Sequence, residues 1–87
     1  MLSASEARIQ TSIVIKNQYQ DELGSIESQI QSAINEGYFS CSPVLKVDTK
    51  GKNYLFKILK EEGYTVDCVY LDIRGNIRFD ISWAQYY

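Results

Sequence analysis

The side chains best suited to covalent or metal chemistry in this chain are its two cysteines, Cys41 and Cys68. A cysteine nucleophile usually depends on a histidine that accepts its proton, and a structural zinc ion needs about four ligands. The sequence contains no histidine, so both arrangements lack their usual partners. Ser40-Cys41-Ser42 also lacks the flanking glycines of a nucleophile elbow. We therefore expect reduced, packed cysteines, no metal or other cofactor, and no enzymatic activity.

The side chains best suited to binding lie in the last third of the chain. Two apolar alternating runs flank Asp72-Ile73-Arg74-Gly75, which favours a type I turn followed by a bulge and hence a β-hairpin. If Asp72 lies opposite Asn76, one face of the hairpin is mostly apolar and packs on the core. The open face then carries a mixed patch, formed by Cys68, Tyr70, Arg78 and Asp80.

The register of this hairpin has an alternative. A two-residue loop at Gly75-Asn76 would place Val66, Cys68 and Tyr70 beside Phe79, Ile81 and Trp83. On the favoured register, Tyr and Arg are residue types enriched at interface centres. The patch is then either a partner- or ligand-binding surface or a solvated sheet face. The binding candidates are Tyr70, Arg78, Tyr86 and Tyr87, the last two being either packed on the sheet edge or another subunit, or disordered.

A cluster of lysines surrounds the second predicted helix. With Tyr54 and Phe56 among them, these cations have the composition of a nucleic-acid-binding groove. The net charge of −2 argues against that function, because the domain as a whole is not basic. We expect a solvated helix face and no nucleic-acid partner. The lysines are Lys46, Lys50, Lys52, Lys57 and Lys60.

The first 36 residues are predicted to be helical. Ser3 and Glu6 form a capping-box pattern at the start, and Gly37 is a natural residue to follow the end. An unbroken helix would be roughly 45–50 Å long, which the remaining residues cannot cover. Either the helix breaks near Gly24 and folds back as a hairpin, or its first half projects and meets a second copy of the chain. We favour the second, with self-association through Ile9, Ile13, Val14 and Ile15.

The remaining elements complete an α+β pattern. Tyr38–Leu45 is predicted to be a strand with Phe39 and Cys41 on one face, and Pro43 indicates that it lies at an edge or ends there. Asp48 or Thr49 caps a second helix, which Gly63 ends.

With the hairpin, the order is α-β-α-β-β: two helices packed on a small three-stranded sheet, with a long N-terminal helix. We predict a single α+β domain, in which residues 1–24 form a helical extension and residues 25–87 the compact core.

Composition agrees with a small globular protein. Of the 87 residues, 45% are hydrophobic and 23% are charged, which argues against disorder. No apolar run is long enough to span a membrane, and the first residues lack the basic and apolar segments of a secretory signal. We therefore expect a cytoplasmic protein with no membrane partner.

Three segments of the sequence carry a resemblance to a known class of proteins. Ile30–Gly37, Leu59–Val66 and Ile81-Ser82-Trp83 resemble small proteins encoded by tailed bacteriophages, which share a helix, a short strand, a second helix ending in Gly-Tyr, and a hairpin with Ile-Ser-Trp. The resemblance covers about residues 26–83. It implies a phage origin and a role inside an infected bacterium, but it transfers no functional residue. The Ile-rich N-terminal segment and the Gln85-Tyr86-Tyr87 tail depart from the pattern.

Together these features favour binding over catalysis. We expect a non-enzymatic phage accessory protein that binds a host protein and modulates its activity, and that forms a homo-oligomer, most simply a dimer. One alternative is an oligomer whose pocket sequesters a small molecule such as a nucleotide signal. Another is a minor structural component of the virion.

Overall fold

Three helices and four short strands follow one another along residues 1–84, the part of the chain that the computed structural model describes. The α+β class predicted from the sequence is confirmed, but the order is α-α-β-β-α-β-β rather than α-β-α-β-β. The elements are α1 (Ala4–Gln18), α2 (Gln20–Asn35), β1 (Ser40–Cys41), β2 (Val44–Lys46), α3 (Thr49–Glu61), β3 (Thr65–Tyr70) and β4 (Asn76–Ser82).

The N-terminal helical segment is divided at Tyr19, not at Gly24. The Ser3 side chain accepts a hydrogen bond from the Glu6 N–H at 3.1 Å, so α1 begins where the capping pattern predicts. Tyr19 has φ −113° and ψ 20°, which interrupts the helix between α1 and α2. Gly24 lies inside α2 and does not break it. After α2, Gly37 has a φ of 84°, the left-handed conformation expected of a residue that follows a helix end.

The predicted strand after α2 is interrupted at Pro43. Its two pieces, β1 and β2, both pair antiparallel with the same side of β4. The Phe79 N–H donates to the Pro43 carbonyl at 2.9 Å, but proline has no N–H to return to Phe79. Pro43 therefore divides an edge strand, and the sheet has four strands instead of three.

The sheet is antiparallel throughout, with β4 at its centre and β3 on the side away from β1 and β2. Helices α2 and α3 pack against one face and build the core with it. None of the helices within residues 1–84 is long and apolar enough to cross a membrane. The buried core consists of Ile26, Ile30, Val47, Leu55, Leu59, Val66, Ile77, Phe79 and Ile81.

The hairpin register differs by one residue from the favoured prediction. Leu71, and not Asp72, lies opposite Asn76, since the Leu71 N–H donates to the Asn76 carbonyl at 3.0 Å. The Asp72 carboxylate accepts the Arg74 N–H at 2.8 Å and the Asn76 side-chain amide at 2.8 Å, which closes the loop at Asp72–Gly75. The extra loop residue turns every β3 side chain to the other face. The alternative loop at Gly75-Asn76 is also wrong, because Asn76 is already paired in the strand. Its grouping of faces is nevertheless the observed one, since Val66 and Cys68 lie opposite Ile81 and Phe79.

Candidate functional site

One face of the sheet is not covered by the helices. Along β4, residues 77, 79 and 81 are buried in the core, and the alternate residues point to the opposite side. Their cross-strand neighbours on this side, including Val44, Lys46, Asp67 and Val69, are all exposed. We call this surface the open face. It consists of Ser40, Val44, Lys46, Thr65, Asp67, Val69, Asn76, Arg78, Asp80 and Ser82.

Arg78 lies at the centre of the open face between two exposed valines. It pairs across the sheet with Val44 on one side and Val69 on the other, and these are 48% and 37% exposed. The Arg78 guanidinium binds the Asp80 carboxylate through two contacts, Nε to Oδ1 at 2.9 Å and Nη2 to Oδ2 at 3.2 Å. This hydrogen-bonded contact lowers the pKa of Asp80 below its usual value, so the carboxylate stays ionised at neutral pH.

The pair with Asp80 fixes the direction of the guanidinium and leaves it able to bind further groups. An arginine has five N–H donors, and within the described residues the hydrogen bonds of Arg78 side-chain donors go to Asp80 alone. The strand neighbours of Arg78 are valines on both sides, and a guanidinium with free donors is suited to planar, bidentate recognition. Arg78 is thus positioned to bind a carboxylate or carbonyl group of a partner.

Charge on the open face is ordered along the strands. The cations Lys46 and Arg78 lie toward the start of β4, and Asp80 lies opposite Asp67 one step further along the same face. Two adjacent carboxylates repel each other, and Arg78 neutralises only the nearer one. A partner surface that fits this face therefore has an acidic group opposite Arg78 and a basic group opposite Asp67.

The predicted mixed patch is separated into two halves. Arg78 and Asp80 lie on the open face as expected, but Cys68 and Tyr70 pair with Phe79 and Ile77 and point to the helix side. Tyr70 is still 57% exposed, with the Lys52 ammonium 5.4 Å from its ring centre. The cause is the one-residue change of register described above. Tyr86 and Tyr87 lie outside the described residues.

The cysteines flank β4 on its core side. Cys41 lies opposite Ile81 and Cys68 opposite Phe79, and both are half-buried free thiols. Burial raises the pKa of each thiol, so the protonated form dominates at neutral pH. Among residues 1–84, no group of three or more cysteine or acidic side chains has the geometry of a metal site.

The lysine cluster is dispersed over several surfaces. Three lysines on α3 each lie near a different aromatic ring, at 5.4–5.9 Å from the ring centre. Lys46 belongs to the open face, and Lys57 is 4.0 Å from Glu61. The three ring contacts are Lys50 on Tyr19, Lys52 on Tyr70 and Lys60 on Phe56.

The apolar residues predicted for self-association lie on α1, which has no buried residue. Ile9, Ile13 and Val14 are 60%, 54% and 57% exposed. Ile15 differs, because it is half-buried and lines a groove of about 450 Å³ between α1 and α3. Tyr54 and Ile58 lie on the α3 side of this groove, with lysines at its rim.

Tyr19 sets the direction in which α1 leaves the core. Its hydroxyl donates to Asp48 Oδ1 at 2.6 Å, and the same oxygen accepts the Gly51 N–H at 2.8 Å. A Cβ on Gly51 would lie 2.5 Å from Tyr19 Cε1, so only glycine leaves room for the ring. The hydrogen bond to Asp48 and burial raise the pKa of Tyr19 to about 12, and the same bond lowers the pKa of Asp48.

Several exposed apolar residues were not predicted as surface residues. Val44 and Val69 belong to the open face, and Phe39 was expected to lie beside Cys41 in the sheet. The Phe39 carbonyl does continue the pairing with β4, because it accepts the Trp83 N–H at 3.0 Å, but the side chain is 65% exposed. Ile34 and Tyr38, close by in the sequence, are 48% and 60% exposed. No sequence signal marks these residues as exposed, because apolar character alone does not tell which side chains the core covers.

No protein-family model matches the sequence, and neither a curated protein nor a solved structure is significantly similar to it.

Proposed function

We propose that this chain is a non-enzymatic binding protein whose open face attaches to the surface of another protein. The observation that carries the proposal is Arg78, whose guanidinium is fixed by Asp80 and whose cross-strand neighbours are the exposed Val44 and Val69. Arginine is enriched at the centres of protein interfaces, and the two valines add exposed apolar area beside it.

The resemblance to phage-encoded proteins supports a bacterial host protein as this partner. The order of charge on the open face adds a chemical description: the partner presents an acidic group where it meets Arg78 and a basic group where it meets Asp67. Binding of this kind modulates a host protein by covering its functional surface or by fixing one of its conformations.

A pull-down from the bacterial host with matched charge reversals tests the proposal. Arg78→Glu reverses the charge at the centre of the open face, and Arg74→Glu makes the same change on the exposed hairpin loop. We expect wild type and Arg74→Glu to capture the same host protein and Arg78→Glu to lose it, with affinity reduced at least about 30-fold. Circular dichroism checks that both variants fold.

A captured protein that binds all three forms equally would contradict the open-face proposal. Once identified, the purified partner allows calorimetric titration at two salt concentrations. Affinity that falls with added salt for wild type, and much less for Arg78→Glu, supports a charge contact at Arg78.

The groove between α1 and α3 favours a second candidate, the sequestration of a small anionic ligand. Its volume of about 450 Å³ is in the range of ligand sites, and it combines Tyr54 with the cations Lys50 and Lys57. Glu61 also lines the groove and lies 4.0 Å from Lys57. An aromatic ring and two ammonium groups are suited to a base and a phosphate. Mass spectrometry of material released by denaturing the purified protein tests this candidate, which an empty spectrum and an unsaturated nucleotide titration would rule out.

A further inference from the structure

Helix α1 carries a stripe of four exposed residues whose spacing is palindromic: it reads the same from either end of the helix. Glu6, Ile9, Ile13 and Lys16 are separated by three, four and three residues. At 3.6 residues per turn they span about 80° of the helix surface, so they form one face. All four are exposed, and the two isoleucines in the middle have no apolar neighbour to cover them in one copy of the chain.

We infer that this stripe pairs with the same stripe of a second copy, with the two helices antiparallel. In this arrangement, a twofold axis passes between Ile9 and Ile13, and each Ile9 meets the Ile13 of the partner. Glu6 then lies opposite Lys16 at both ends of the contact. One register therefore satisfies all four positions, with apolar residues at the centre and opposite charges on either side.

Charge selects the antiparallel arrangement over the parallel one. Parallel helices would also bring the isoleucines together, but they would place Glu6 against Glu6 and Lys16 against Lys16. Shifting the antiparallel register by one turn would leave two of the four isoleucines against polar residues. The stripe is thus complementary to itself in one orientation and one register.

The rest of the molecule leaves this face of α1 accessible. The half-buried Ile15 and the exposed Ser12 line the groove toward α3. Around the helix, Ile15 lies about 120–160° and Ser12 about 60–100° from Ile9 and Ile13. Tyr19, which ends α1, donates a hydrogen bond to Asp48, and α1 itself has no buried residue. The stripe therefore points outward, and a second helix can approach it without displacing an element of the fold.

Val14 is not part of the stripe and provides a matched control. It is 57% exposed, close to the 60% of Ile9, but it lies about 140° away around the helix. Ile9→Asp and Val14→Asp make similar changes in helix propensity and solubility at two exposed sites. Only the first removes apolar contacts from the inferred interface.

Sedimentation equilibrium of the full chain between about 1 and 100 µM tests the pairing, since small interfaces dissociate in this range. We expect a dimer for wild type and a dissociation constant raised about 100-fold by Ile9→Asp, because the substitution occurs twice in the dimer. Val14→Asp should stay within about threefold of wild type. A wild-type monomer at 100 µM, or equal weakening by both variants, would overturn the inference.

Charge exchange tests the orientation. Glu6→Lys and Lys16→Glu are each expected to weaken the dimer about threefold to tenfold, and the double variant is expected to restore it. Added salt should reduce these differences. In a parallel dimer, neither single variant would change the dissociation constant much. Single variants that dimerise like wild type, or a double variant that dimerises no more tightly than the single variants, would therefore overturn the antiparallel arrangement. Arg78→Glu should leave the dimer intact, which separates this surface from the open face.

Discussion

Helices α1 and α2 are consecutive parts of one helical segment, yet only the second contributes to the core. Ile26, Ile30 and Ala33 of α2 are buried, whereas α1 has no buried residue despite a similar content of isoleucine. The difference is partly in the sequence, because the apolar residues of α2 lie on one face of the helix, whereas those of α1 are spread around it. The core includes residues of α2 and none of α1. Apolar residues at helical spacing predict a helix face, but not what covers it.

The test with the largest expected change in stability replaces one isoleucine in each helix by alanine. Ile26→Ala is expected to lower the free energy of unfolding by about 3 kcal/mol, because Ile26 is 0% exposed and its loss leaves a cavity. Ile13→Ala is expected to lower it by less than about 0.5 kcal/mol. Urea denaturation at about 1 µM, the lowest concentration of the sedimentation series, measures both. Similar losses for the two variants would contradict the division between buried and exposed helices.

The two helical glycines allow a test in which the expected effects have opposite signs. A Cβ on Gly24 of α2 meets nothing within 4 Å, so Gly24→Ala should raise the free energy of unfolding by about 0.5–1 kcal/mol. Gly51→Ala should lower it by about 1–2 kcal/mol, because its Cβ overlaps the Tyr19 ring. Thermal unfolding by circular dichroism distinguishes them. If both substitutions stabilise the fold, Tyr19 is not packed against α3 as described.

The junction between the helices is expected to respond to pH. The pKa of Tyr19 is raised from 10.0 to about 12, so the folded state keeps this proton when the unfolded state has lost it. Stability should therefore fall as pH rises from about 10 to 12. The pKa of Asp48 is lowered, so its contribution should be lost as pH falls below its usual value of 3.8.

Tyr19→Phe is the control for this pH dependence. It removes the hydroxyl that links α2 to Asp48 while keeping the ring, and is expected to lower the melting temperature near pH 7 by about 5 °C. Melting curves at several pH values, with the tyrosinate absorbance recorded in parallel, measure the effect. The variant should lose less stability above pH 10 than wild type. An identical alkaline decline in both would show that other groups cause it.

The smallest change in the stability of the monomer is expected from removing most of α1. Deleting residues 1–14 keeps Ile15 and Tyr19 and should change the free energy of unfolding of the monomer by less than about 0.5 kcal/mol, since the deleted part has no buried residue. At concentrations where wild type dimerises, its apparent stability should exceed that of the shortened chain. A shortened chain that fails to fold would show that α1 supports the core.

The sequence predicts the helix ends better than it predicts the helix junction. Ser3, Asp48 and the glycines 37 and 63 act through contacts within four residues, and each cap or positive φ lies where it was expected. The break at Tyr19 depends on Asp48, which is 29 residues away in the chain. Gly24 was the local candidate for a break, but an intrinsic cost of about 1 kcal/mol is too small to end a helix that the core supports.

The sequence predicts only part of the candidate site, and the reason again lies in what local sequence signals can fix. Arg78 and Asp80 lie on the open face as expected, because the alternation of β4 is strong enough to fix its own faces. Cys68 and Tyr70 were placed on that face by counting across the turn, and the Asp72 loop holds one residue more than was counted. Both loop lengths satisfy the same Asp and Gly signals, so the sequence alone does not separate them. The binding roles of Tyr70, Arg78, Tyr86 and Tyr87 stay predictions.

The contact between Tyr19 and Gly51 also constrains how descendants of this sequence can diverge. A side chain at position 51 avoids a loss of stability only if position 19 has already become smaller, because the two would occupy the same space. A smaller residue at position 19 would in turn lose the hydrogen bond to Asp48. The three positions are therefore expected to change together between lineages. Where they do, we expect α1 to leave the core in a different direction. Substitutions outside α1 would then change how α1 pairs with a second copy of the chain.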